Sequence, residues 1–335
     1  MSDPRPAQQL TQMITGYWTS RAIYVAAKLR IADRLKDGSR AAEELAAAVG
    51  VAPRPLYRVL RALAGVGVFA QQADGRFRLN PLAGPLRGGG PDSLRATAVM
   101  IGEEQDRCWD DLLETVRTGE TAFDRLYGQP YFAYLSGRPE QSKIFDAAMT
   151  AFGGRATQAV LDTYDLSDVK TLADVGGGLG SNLTKILGRY PAMRGVLFDQ
   201  PHVVERARPI LEAAGVSGRC TVEGGDFFKT APAGADAYLL GHIIHDWDDA
   251  KAGLILDNLR RAMPAGAKLL LVEHVLPEGD GQAFGKLLDL HMMVLLGSLE
   301  RTEAEYRRLF AAHGFRLARV VPTAGDISVV EGVPA

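Results

Sequence analysis

The sequence contains few of the residues from which disulfide frameworks and metal sites are built. Its 335 residues include only two cysteines, Cys108 and Cys220, which lie far apart in different segments. Neither has a partner at the spacing of a disulfide framework or a metal site, so we predict no metal ion and expect a reducing compartment. Net charge is nearly absent as well, at −2, so the overall composition does not point to nucleic acid.

Long hydrophobic runs are also missing. No stretch reaches the length of a transmembrane helix, and the first ten residues have no apolar signal core. We therefore expect a cytoplasmic protein with no membrane partner. The remaining composition, 47% hydrophobic and 23% charged, is ordinary for a globular protein, and 335 residues are enough for two domains.

The most informative stretch is a glycine cluster that follows a short apolar run. Residues 171–175 predict a buried strand, after which Gly176, Gly178 and Gly180 turn the chain. We expect Ser181 to cap the helix that follows. Strand, glycine turn and helix form the ligand-binding opening of an open α/β sheet, and the glycines let the backbone approach a ligand closely.

The residues around these glycines discriminate between nucleotide-like ligands. A dinucleotide fingerprint needs its third glycine one place later, where Ser181 stands. Asp174 lies within the strand and would repel a pyrophosphate. The same carboxylate would attract the ammonium and sulfonium groups of S-adenosylmethionine. The pattern therefore favours S-adenosylmethionine over NAD.

The N-terminal part of the chain predicts a helical segment followed by a winged helix. Apolar side chains recur at helical spacing over residues 10–37, which indicates a surface for a homodimer partner. Helices at 41–49 and 53–64 and a hairpin follow. Residues 16–87 carry twelve Lys and Arg against five Asp and Glu, as a DNA-binding module would. Because a complete ligand domain follows, we favour dimerisation and expect no nucleic-acid partner.

A largely helical segment precedes the α/β domain. It begins after a glycine-rich break at 88–91 and supplies Trp109, Phe145 and Met149. Pockets favour aromatic side chains, so we expect these three to line a substrate pocket. The predicted organisation is a winged-helix dimerisation domain at 1–90, a helical connector at 91–165 that contributes to the pocket, and an α/β domain at 166–335.

From residue 171 strands alternate with helices, and functional groups collect where strands end. Five of them lie at or just after the end of a predicted strand: Asp174, Asp199, Asp226, His245 and Glu273. The carboxyl ends of parallel strands share one edge of the sheet, where α/β proteins bind ligands. Asp199 can accept hydrogen bonds from a ribose diol, and Asp226 with Phe227 suits an adenine.

His245 is the candidate general base. A neutral imidazole can take a proton from a phenol-like hydroxyl, whose pKa of about 10 makes it a poor nucleophile without help. Glu273 and Glu300 are candidates to orient the imidazole and to stabilise its protonated form, as the third member of a catalytic triad does.

Taken together, the motifs resemble one family, the S-adenosylmethionine-dependent small-molecule O-methyltransferases of plant secondary metabolism and bacterial antibiotic biosynthesis. The resemblance covers nearly the whole chain, including the winged-helix half. It rests on five motifs: DVGGGLG at 174–180, DQPHV at 199–203, GDFF at 225–228, HDWD at 245–248 and ERT at 300–302.

The resemblance implies a Rossmann-like, seven-stranded methyltransferase domain at 166–335 and an N-terminal, mainly α, winged-helix dimerisation domain. It implies S-adenosylmethionine as methyl donor, S-adenosylhomocysteine as product, a small hydroxylated aromatic substrate and a homodimer built through the N-terminal helices. His245 matches the family's base, with Glu273 and Glu300 beside it. The predicted cofactor-binding residues are Asp174, Gly176, Gly178, Asp199, Gln200, Gly225, Asp226, Phe227, His242 and Trp247.

Two positions depart from the family pattern, and one segment is expected to vary with substrate. Gln200 stands where the family usually has leucine, and Gly241 where plant members often have a lysine near the cofactor. His291 and Met292 fall in the segment that shapes the acceptor pocket, so we predict that both bind substrate.

Three other functions stay open. A family member can keep the cofactor and perform other chemistry on a polyketide-like substrate. A winged-helix regulator that senses a ligand would bind DNA, and it would leave His245, Glu273 and Glu300 without a purpose. An NAD-dependent oxidoreductase is the weakest alternative, because the third glycine is misplaced and Asp174 has the wrong charge.

Overall fold

A computed structural model describes residues 5–90, 92–281 and 283–335. Pro91, at the predicted domain boundary, and Gln282 lie outside the described residues, as do the first four residues of the segment searched for a signal core. The described chain divides into two compact units. The first contains the residues up to Arg107 together with Leu135–Ala151, and the second contains Cys108–Tyr134 and Phe152–Ala335. The predicted three-part division stays a prediction.

The first unit is mainly helical. Its helices are α1 (Pro6–Lys28), α2 (Ile31–Arg34), α3 (Ala42–Val49), α4 (Pro53–Gly65) and α5 (Arg95–Met100). A two-stranded antiparallel hairpin, β1 (Ala70–Gln71) and β2 (Phe77–Arg78), follows α4 and turns at Gly75, whose φ is +83°. Leu45, Leu60 and Phe77 are fully buried between these elements. Two helices and a hairpin around one apolar core form the predicted winged helix.

Six further helices lead into or through the second unit. Three of them have residues in both units: α6 (Asp106–Asp110), α9 (Tyr131–Ser136) and α10 (Pro139–Thr163). The short helices α7 (Leu112–Thr118) and α8 (Ala122–Tyr127) belong to the second unit, as does α11 (Ser181–Arg189), which follows the glycine turn. Leu183, Ile186 and Leu187 form the buried face of α11, at the spacing of an amphipathic helix.

The second unit is built on a sheet in which seven strands lie side by side, and an eighth, short strand pairs with the end of one of them. In chain order the strands are β3 (Thr171–Val175), β4 (Arg194–Asp199), β5 (Cys220–Gly224), β6 (Ala237–Gly241), β7 (Lys268–Leu276), β8 (Arg301–Thr302), β9 (Phe315–Pro322) and β10 (Ile327–Pro334). Their order is β5-β4-β3-β6-β7-β10-β9, and the two-residue β8 pairs with the end of β7. The predicted Rossmann-like sheet and its antiparallel terminal pair are confirmed.

Helices accompany the parallel strands. They are α12 (Pro201–Ala213), α13 (Asp249–Ala262), α14 (Phe284–Leu296) and α15 (Glu303–Ala312). β3 and β6 are buried along nearly their whole length, which is why β6, and β3 apart from Asp174, are mostly apolar in sequence. Among the described residues, none of the helices combines the length and the apolar character needed to cross a membrane.

Two local expectations are wrong. Ser181 does not cap α11: Gly180 occupies the N-cap position with a φ of +76°, and Ser181 is already the first helical residue. Glu273 does not end its strand, because β7 continues to Leu276. The antiparallel strand β10 pairs with β7 as far as His274, with Ser328 opposite Glu273, and β8 pairs with Val275 and Leu276.

Candidate active site

The glycine turn after β3 has a backbone that only glycine adopts easily. Gly176, Gly178 and Gly180 have φ values of +73°, +58° and +76°, in the left-handed region that side chains disfavour. A Cβ atom at Gly176 would lie 2.5 Å from Ile243 Cδ1, and one at Gly177 would lie 2.6 Å from Asp174 Oδ2. The turn therefore needs glycine for two reasons: its backbone conformation is left-handed, and a Cβ atom at Gly176 or Gly177 would clash with neighbouring side chains.

Two carboxylates lie at this turn, and they differ in their partners. The N–H of Gly178 donates to Asp199 Oδ2 at 2.8 Å, and the N–H of Gln200 donates to Asp199 Oδ1 at 2.7 Å. Asp174 is 2% exposed, and no described residue donates to its Oδ2 atom. Burial, with a contribution from Asp199, raises the pKa of Asp174 to about 7. The Oδ2 atom of Asp174 thus lacks, among the described residues, the donor that a buried carboxylate oxygen needs.

An aromatic cluster lies beside the end of β5. Phe228 and Trp247 meet edge to face with ring centroids 4.8 Å apart, and Phe227 packs 4.9 Å from Phe228. Phe132 adds a fourth ring 5.9 Å from Trp247. Asp226 accepts from the Phe228 N–H at 3.0 Å. The predicted Asp226, Phe227 and Trp247 are therefore close together, and sequence reasoning missed Phe132 and Phe228 as members of the cluster.

The remaining predicted cofactor residues lie at the same edge of the sheet. Gln200 is the exposed N-cap of α12. A Cβ atom at Gly225 would lie 2.5 Å from the Phe198 ring, so this glycine allows the close packing of β4 and the following turn. His242 has a left-handed φ of +55°, which is strained for a side-chain-bearing residue, and its ring lies 5.4 Å from that of His245. Burial, followed by His245 and His274, lowers the pKa of His242 to about 3.

A small recess lies beside the start of α11. Its lining includes Asn182, Ile186, Leu239, Gly241, His242 and Val272. The Asn182 Oδ1 atom is buried without a hydrogen-bond partner among the described residues. Gly241 contributes no side chain, so the recess lacks the lysine that plant members often have at this position.

His245 is held between acidic side chains. It lies in a short 3-10 turn, Ile244–Asp246, and is 6% exposed. Its Nδ1 atom donates to Glu300 Oε1 at 2.6 Å, and Glu273 Oε2 lies 3.8 Å from the same nitrogen. Its Nε2 atom lies 3.5 Å from Asp246 Oδ1. Because Nδ1 is committed to Glu300, Nε2 is the nitrogen that can accept a proton.

The two glutamates act on different parts of this turn. Glu300 contacts the imidazole directly, whereas Glu273 Oε1 accepts from the backbone N–H groups of Ile243 and Ile244 at 3.1 and 2.9 Å. Glu273 therefore fixes the backbone that carries His245, in addition to lying near its ring.

The charges of this cluster are strongly coupled. Burial lowers the pKa of His245, but Glu273 and Glu300 raise it by more, to about 10. Burial also raises the pKa of Glu273 to about 7 and that of Asp246 to about 6, although His245 opposes both shifts. The acidic surroundings thus make His245 a much stronger base than a free imidazole.

A metal ion is not needed to explain this cluster. His242, His245 and Glu273 each have a possible ligand atom, all within 4.8 Å of one another. However, Glu273 is engaged by two backbone amides and His245 by Glu300. These contacts favour a role in proton transfer over a role as metal ligands.

Arg301 is a residue that sequence reasoning did not assign. It is 1% exposed and lies directly after Glu300. Its guanidinium donates to the carbonyls of Ile244 and Trp247 at 3.1 and 2.9 Å and to Asp249 Oδ1 at 2.8 Å. Arg301 therefore connects the turn that carries His245 to the segment that carries Glu300. The only sequence signal for it is its place beside Glu300.

The predicted substrate residues fall into two groups. Trp109 and His291 contact each other, with Trp109 Nε1 donating to His291 Nδ1 at 3.0 Å. Met292 is the next residue on α14 and is buried. Phe145 and Met149 belong to the first unit, on the first half of α10. Their predicted role in a pocket stays a prediction.

The comparisons with known proteins agree with this architecture. The sequence matches the O-methyltransferase domain family over residues 109–316 and the O-methyltransferase dimerisation domain family over residues 11–86. The phenazine O-methyltransferase PhzM of Lysobacter antibioticus is 52% identical over 97% of this chain and 95% of its own length. The crystal structure of LaPhzM superimposes with a TM-score of 0.95 at 51% identity, covering 99% of this chain and all of that one.

Other relatives show the range of this fold. The calicheamicin methyltransferase CalO1, solved with S-adenosylhomocysteine bound, has a TM-score of 0.86 at 36% identity and covers 99% of this chain and 100% of its own. Phenazine-1-carboxylate N-methyltransferase of Pseudomonas aeruginosa is 30% identical over 94% of this chain and 93% of its own. Aclacinomycin 10-hydroxylase RdmB of Streptomyces purpurascens is 37% identical over 90% of this chain and 82% of its own.

Proposed function

We propose that this chain, which belongs to the O-methyltransferase family, transfers a methyl group from S-adenosylmethionine to a hydroxyl of a small aromatic compound. The observation that carries the proposal is the buried contact of 2.6 Å between His245 and Glu300, with Glu273 beside it. Amines and hydroxyls differ in what they need from an enzyme, since a phenol must lose its proton to become a good nucleophile. A strong base next to the reaction site therefore favours methylation of oxygen.

The residues around the glycine turn fit S-adenosylmethionine. Asp174 is buried and receives no hydrogen bond at Oδ2 from the described residues, so it suits a ligand that brings a cation or a donor. Gly176 and Gly178 have positive φ values and carry no side chain, so the backbone of the turn can approach the ligand closely. With Asp199, the turn presents two carboxylates, which would repel a pyrophosphate.

The other cofactor contacts follow from chemistry. We assign the ribose hydroxyls to Asp199, whose position is fixed by the amides of Gly178 and Gln200. We assign the adenine to Asp226, Phe227 and Trp247, because an acid and aromatic rings suit its amine and its flat surface. We assign His242 and Gly225 to the wall of the same site.

The reaction then depends on a small number of side chains. When bound, S-adenosylmethionine supplies the methyl group from its sulfonium centre. Nε2 of neutral His245 takes the proton of the aromatic hydroxyl, while Nδ1 holds its own proton against Glu300. Glu300 stabilises the imidazolium that forms. Glu273 keeps the turn in place through Ile243 and Ile244. The protein therefore contributes deprotonation, positioning and exclusion of water.

We also propose that the chain works as a homodimer through α1. Leu10, Met13, Ile14, Tyr17 and Trp18 lie at helical spacing and are each 58–69% exposed in the single chain. Such a continuous apolar stripe indicates a partner surface. The match of residues 11–86 to a dimerisation domain family supports this assignment.

A second candidate is a member of the family that performs other chemistry on a polyketide-like substrate. The likeness to the hydroxylase RdmB, at 37% identity, is the observation that favours it. The same experiment tests both functions. The protein is incubated in air, so that dioxygen is present as oxidant, with S-adenosylmethionine and matched hydroxyl- and amino-substituted aromatic compounds, polyketide-like phenols among them, and products are read by mass spectrometry.

We expect hydroxyl compounds to gain a methyl group on oxygen, with one S-adenosylhomocysteine formed for each product. Methylation of the amines alone would contradict O-methylation. An oxygenated product without S-adenosylhomocysteine would favour the second candidate. Failure to bind S-adenosylmethionine by calorimetry would refute the assignment of the glycine turn.

A further inference from the structure

A series of contacts connects Trp109 and His291 to the candidate base. His291 is on α14, the helix that also supplies Asp289, and Asp289 Oδ1 accepts from the Glu300 N–H at 2.8 Å. Glu300 in turn holds the His245 imidazole. His291 lies two positions after Asp289 on this helix, a rise of about 3 Å. Helix α14 also contacts the 3-10 turn that carries His245, so His291 is a second imidazole on an element that borders the candidate base.

The contact with Trp109 fixes the protonation of the His291 ring. An indole N–H can only donate, so His291 Nδ1 must accept and must carry no proton. The neutral ring then carries its proton on Nε2. The two rings are nearly parallel, at 16° with centroids 6.1 Å apart, so that the pair forms a flat aromatic wall with one N–H donor.

The surroundings keep this ring uncharged. Burial lowers the pKa of His291 to about 4, so the ring is neutral at physiological pH. No described residue accepts a hydrogen bond from its Nε2 atom. His291 thus differs from His245, whose acidic neighbours favour the imidazolium. It offers a donor without a charge.

We propose that His291 Nε2–H donates a hydrogen bond to the methyl acceptor and selects aromatic compounds with an uncharged hydrogen-bond acceptor, a ring nitrogen or a carbonyl oxygen, near the hydroxyl. The inference rests on the proposed function and names the class of substrate at the same site. A neutral donor satisfies such an atom fully, whereas a purely carbocyclic ring leaves the N–H without a partner. Trp109 acts as the residue that sets the tautomer.

The test compares matched acceptors. Hydroxyquinolines and hydroxyphenazines are measured beside the naphthol and the anthrol of the same ring size, and kcat/KM is determined for each. We expect the wild-type protein to prefer the nitrogen-containing member by about 10-fold to 100-fold, as sites that hydrogen-bond a substrate discriminate against analogues without the group.

Two variants separate hydrogen bonding from shape. His291→Phe keeps a flat ring but removes the donor, so the preference should fall to about threefold or less. His291→Gln retains a carbonyl for Trp109 and an N–H₂ donor, so most of the preference should survive. Leu287→Gln, at an exposed position of the same helix, is the matched control and should leave the preference unchanged.

The outcomes distinguish this inference from the function on which it rests. Methylation of both members of each pair at equal kcat/KM would overturn the role of His291 and leave the proposed function intact. A preference that persists in His291→Phe would overturn it as well. If the wild-type protein binds S-adenosylmethionine and methylates neither member, the proposed function fails, and the inference fails with it.

Discussion

At the scale of single residues, Asp174 shows a conflict between stability and ligand binding. Its pKa of about 7 in the folded chain, against an ordinary 3.8, means that the unfolded carboxyl ionises first as pH rises. The free energy of unfolding therefore falls progressively from pH 4 to pH 7, and above pH 7 the full loss is about 4 kcal/mol. A group buried for stability alone would not carry this cost.

We predict that Asp174→Asn raises the free energy of unfolding of the ligand-free protein at pH 8 by about 2–4 kcal/mol, with no gain at pH 4. S-adenosylmethionine should bind at least about tenfold more weakly, because its donor loses an ionised partner. Urea unfolding at both pH values and calorimetry measure the two effects. A variant that is less stable at pH 8, or that binds the cofactor normally, would contradict the role of Asp174.

Glu300 determines the basicity of His245. Neutral His245 is the active form, so kcat/KM should rise with pH until the ring is deprotonated. Since a neighbouring carboxylate raises the pKa of His245, Glu300→Gln should move the pH at which kcat/KM levels off to a lower value. It should also reduce the maximal rate by about tenfold or more, because the imidazolium loses its partner.

The pH profile is measured with an acceptor whose hydroxyl does not ionise in the tested range. Glu303→Gln, which removes an exposed surface acid paired with Arg307, is the control and should reproduce the wild-type profile. An unchanged profile in Glu300→Gln would show that this carboxylate does not govern the base.

At the scale of elements, the site depends on how one short turn is attached to its neighbours. The 3-10 turn Ile244–Asp246 is fixed from one side by Glu273 of β7 and from the other by Arg301 of β8. Arg301 makes most of its contacts with backbone carbonyls, so it positions the turn without contacting the reacting groups. Its partner Asp249 is 72% exposed in its side chain, whereas Arg301 is fully buried.

We predict that Arg301→Lys lowers kcat by about tenfold or more, since an ammonium cannot reproduce the guanidinium fork. Cofactor affinity should change by less than about threefold. Asp249→Asn removes only the exposed partner and should have a small effect on both. Steady-state kinetics, calorimetry and a melting curve measure these effects. A folded Arg301→Lys protein with normal kcat would contradict the positioning role.

Much of this element structure could be predicted from the sequence, because its causes are local. Buried parallel strands form continuous apolar runs, and the glycines of 176–180 mark a turn with left-handed backbone. Asp199, Asp226 and His245 were predicted to share one sheet edge because each lies at or just after the end of a strand. These signals depend on residues that are close in sequence.

The contacts that could not be predicted join distant parts of the chain. Glu273 lies inside a strand because β10 and β8 pair with β7 beyond it, and the sequence around Glu273 gives no sign of these pairings. Arg301 reaches the carbonyls of residues more than fifty positions earlier. The bond from Trp109 to His291 spans 182 positions. Such contacts are fixed by tertiary packing, which propensity and spacing do not encode.

At the scale of the whole molecule, the apolar stripe on α1 is the main feature that the single chain leaves exposed. Its five residues, Leu10, Met13, Ile14, Tyr17 and Trp18, repeat every three or four positions. Each large apolar side chain that becomes buried contributes about 1.5–3 kcal/mol. Burial of this stripe against a second copy would therefore stabilise a dimer substantially.

We predict that Ile14→Glu combined with Trp18→Lys converts a dimer into a monomer at micromolar concentration, as measured by size-exclusion chromatography with light scattering. Leu254→Glu changes an apolar residue of similar exposure, 52%, in the other unit, and should leave the dimer intact. A double variant that remains dimeric would place the interface elsewhere.

The central claim is that His245 deprotonates a hydroxyl group of the acceptor. The most direct measurement is the rate of methyl transfer by His245→Ala, relative to wild type, for phenols whose pKa values extend from below 7 to about 10. The account predicts a loss of about 10²–10⁴-fold for phenols that are protonated at the assay pH, shrinking toward unity for phenols already ionised. A loss of less than about fivefold for the protonated phenols would contradict it.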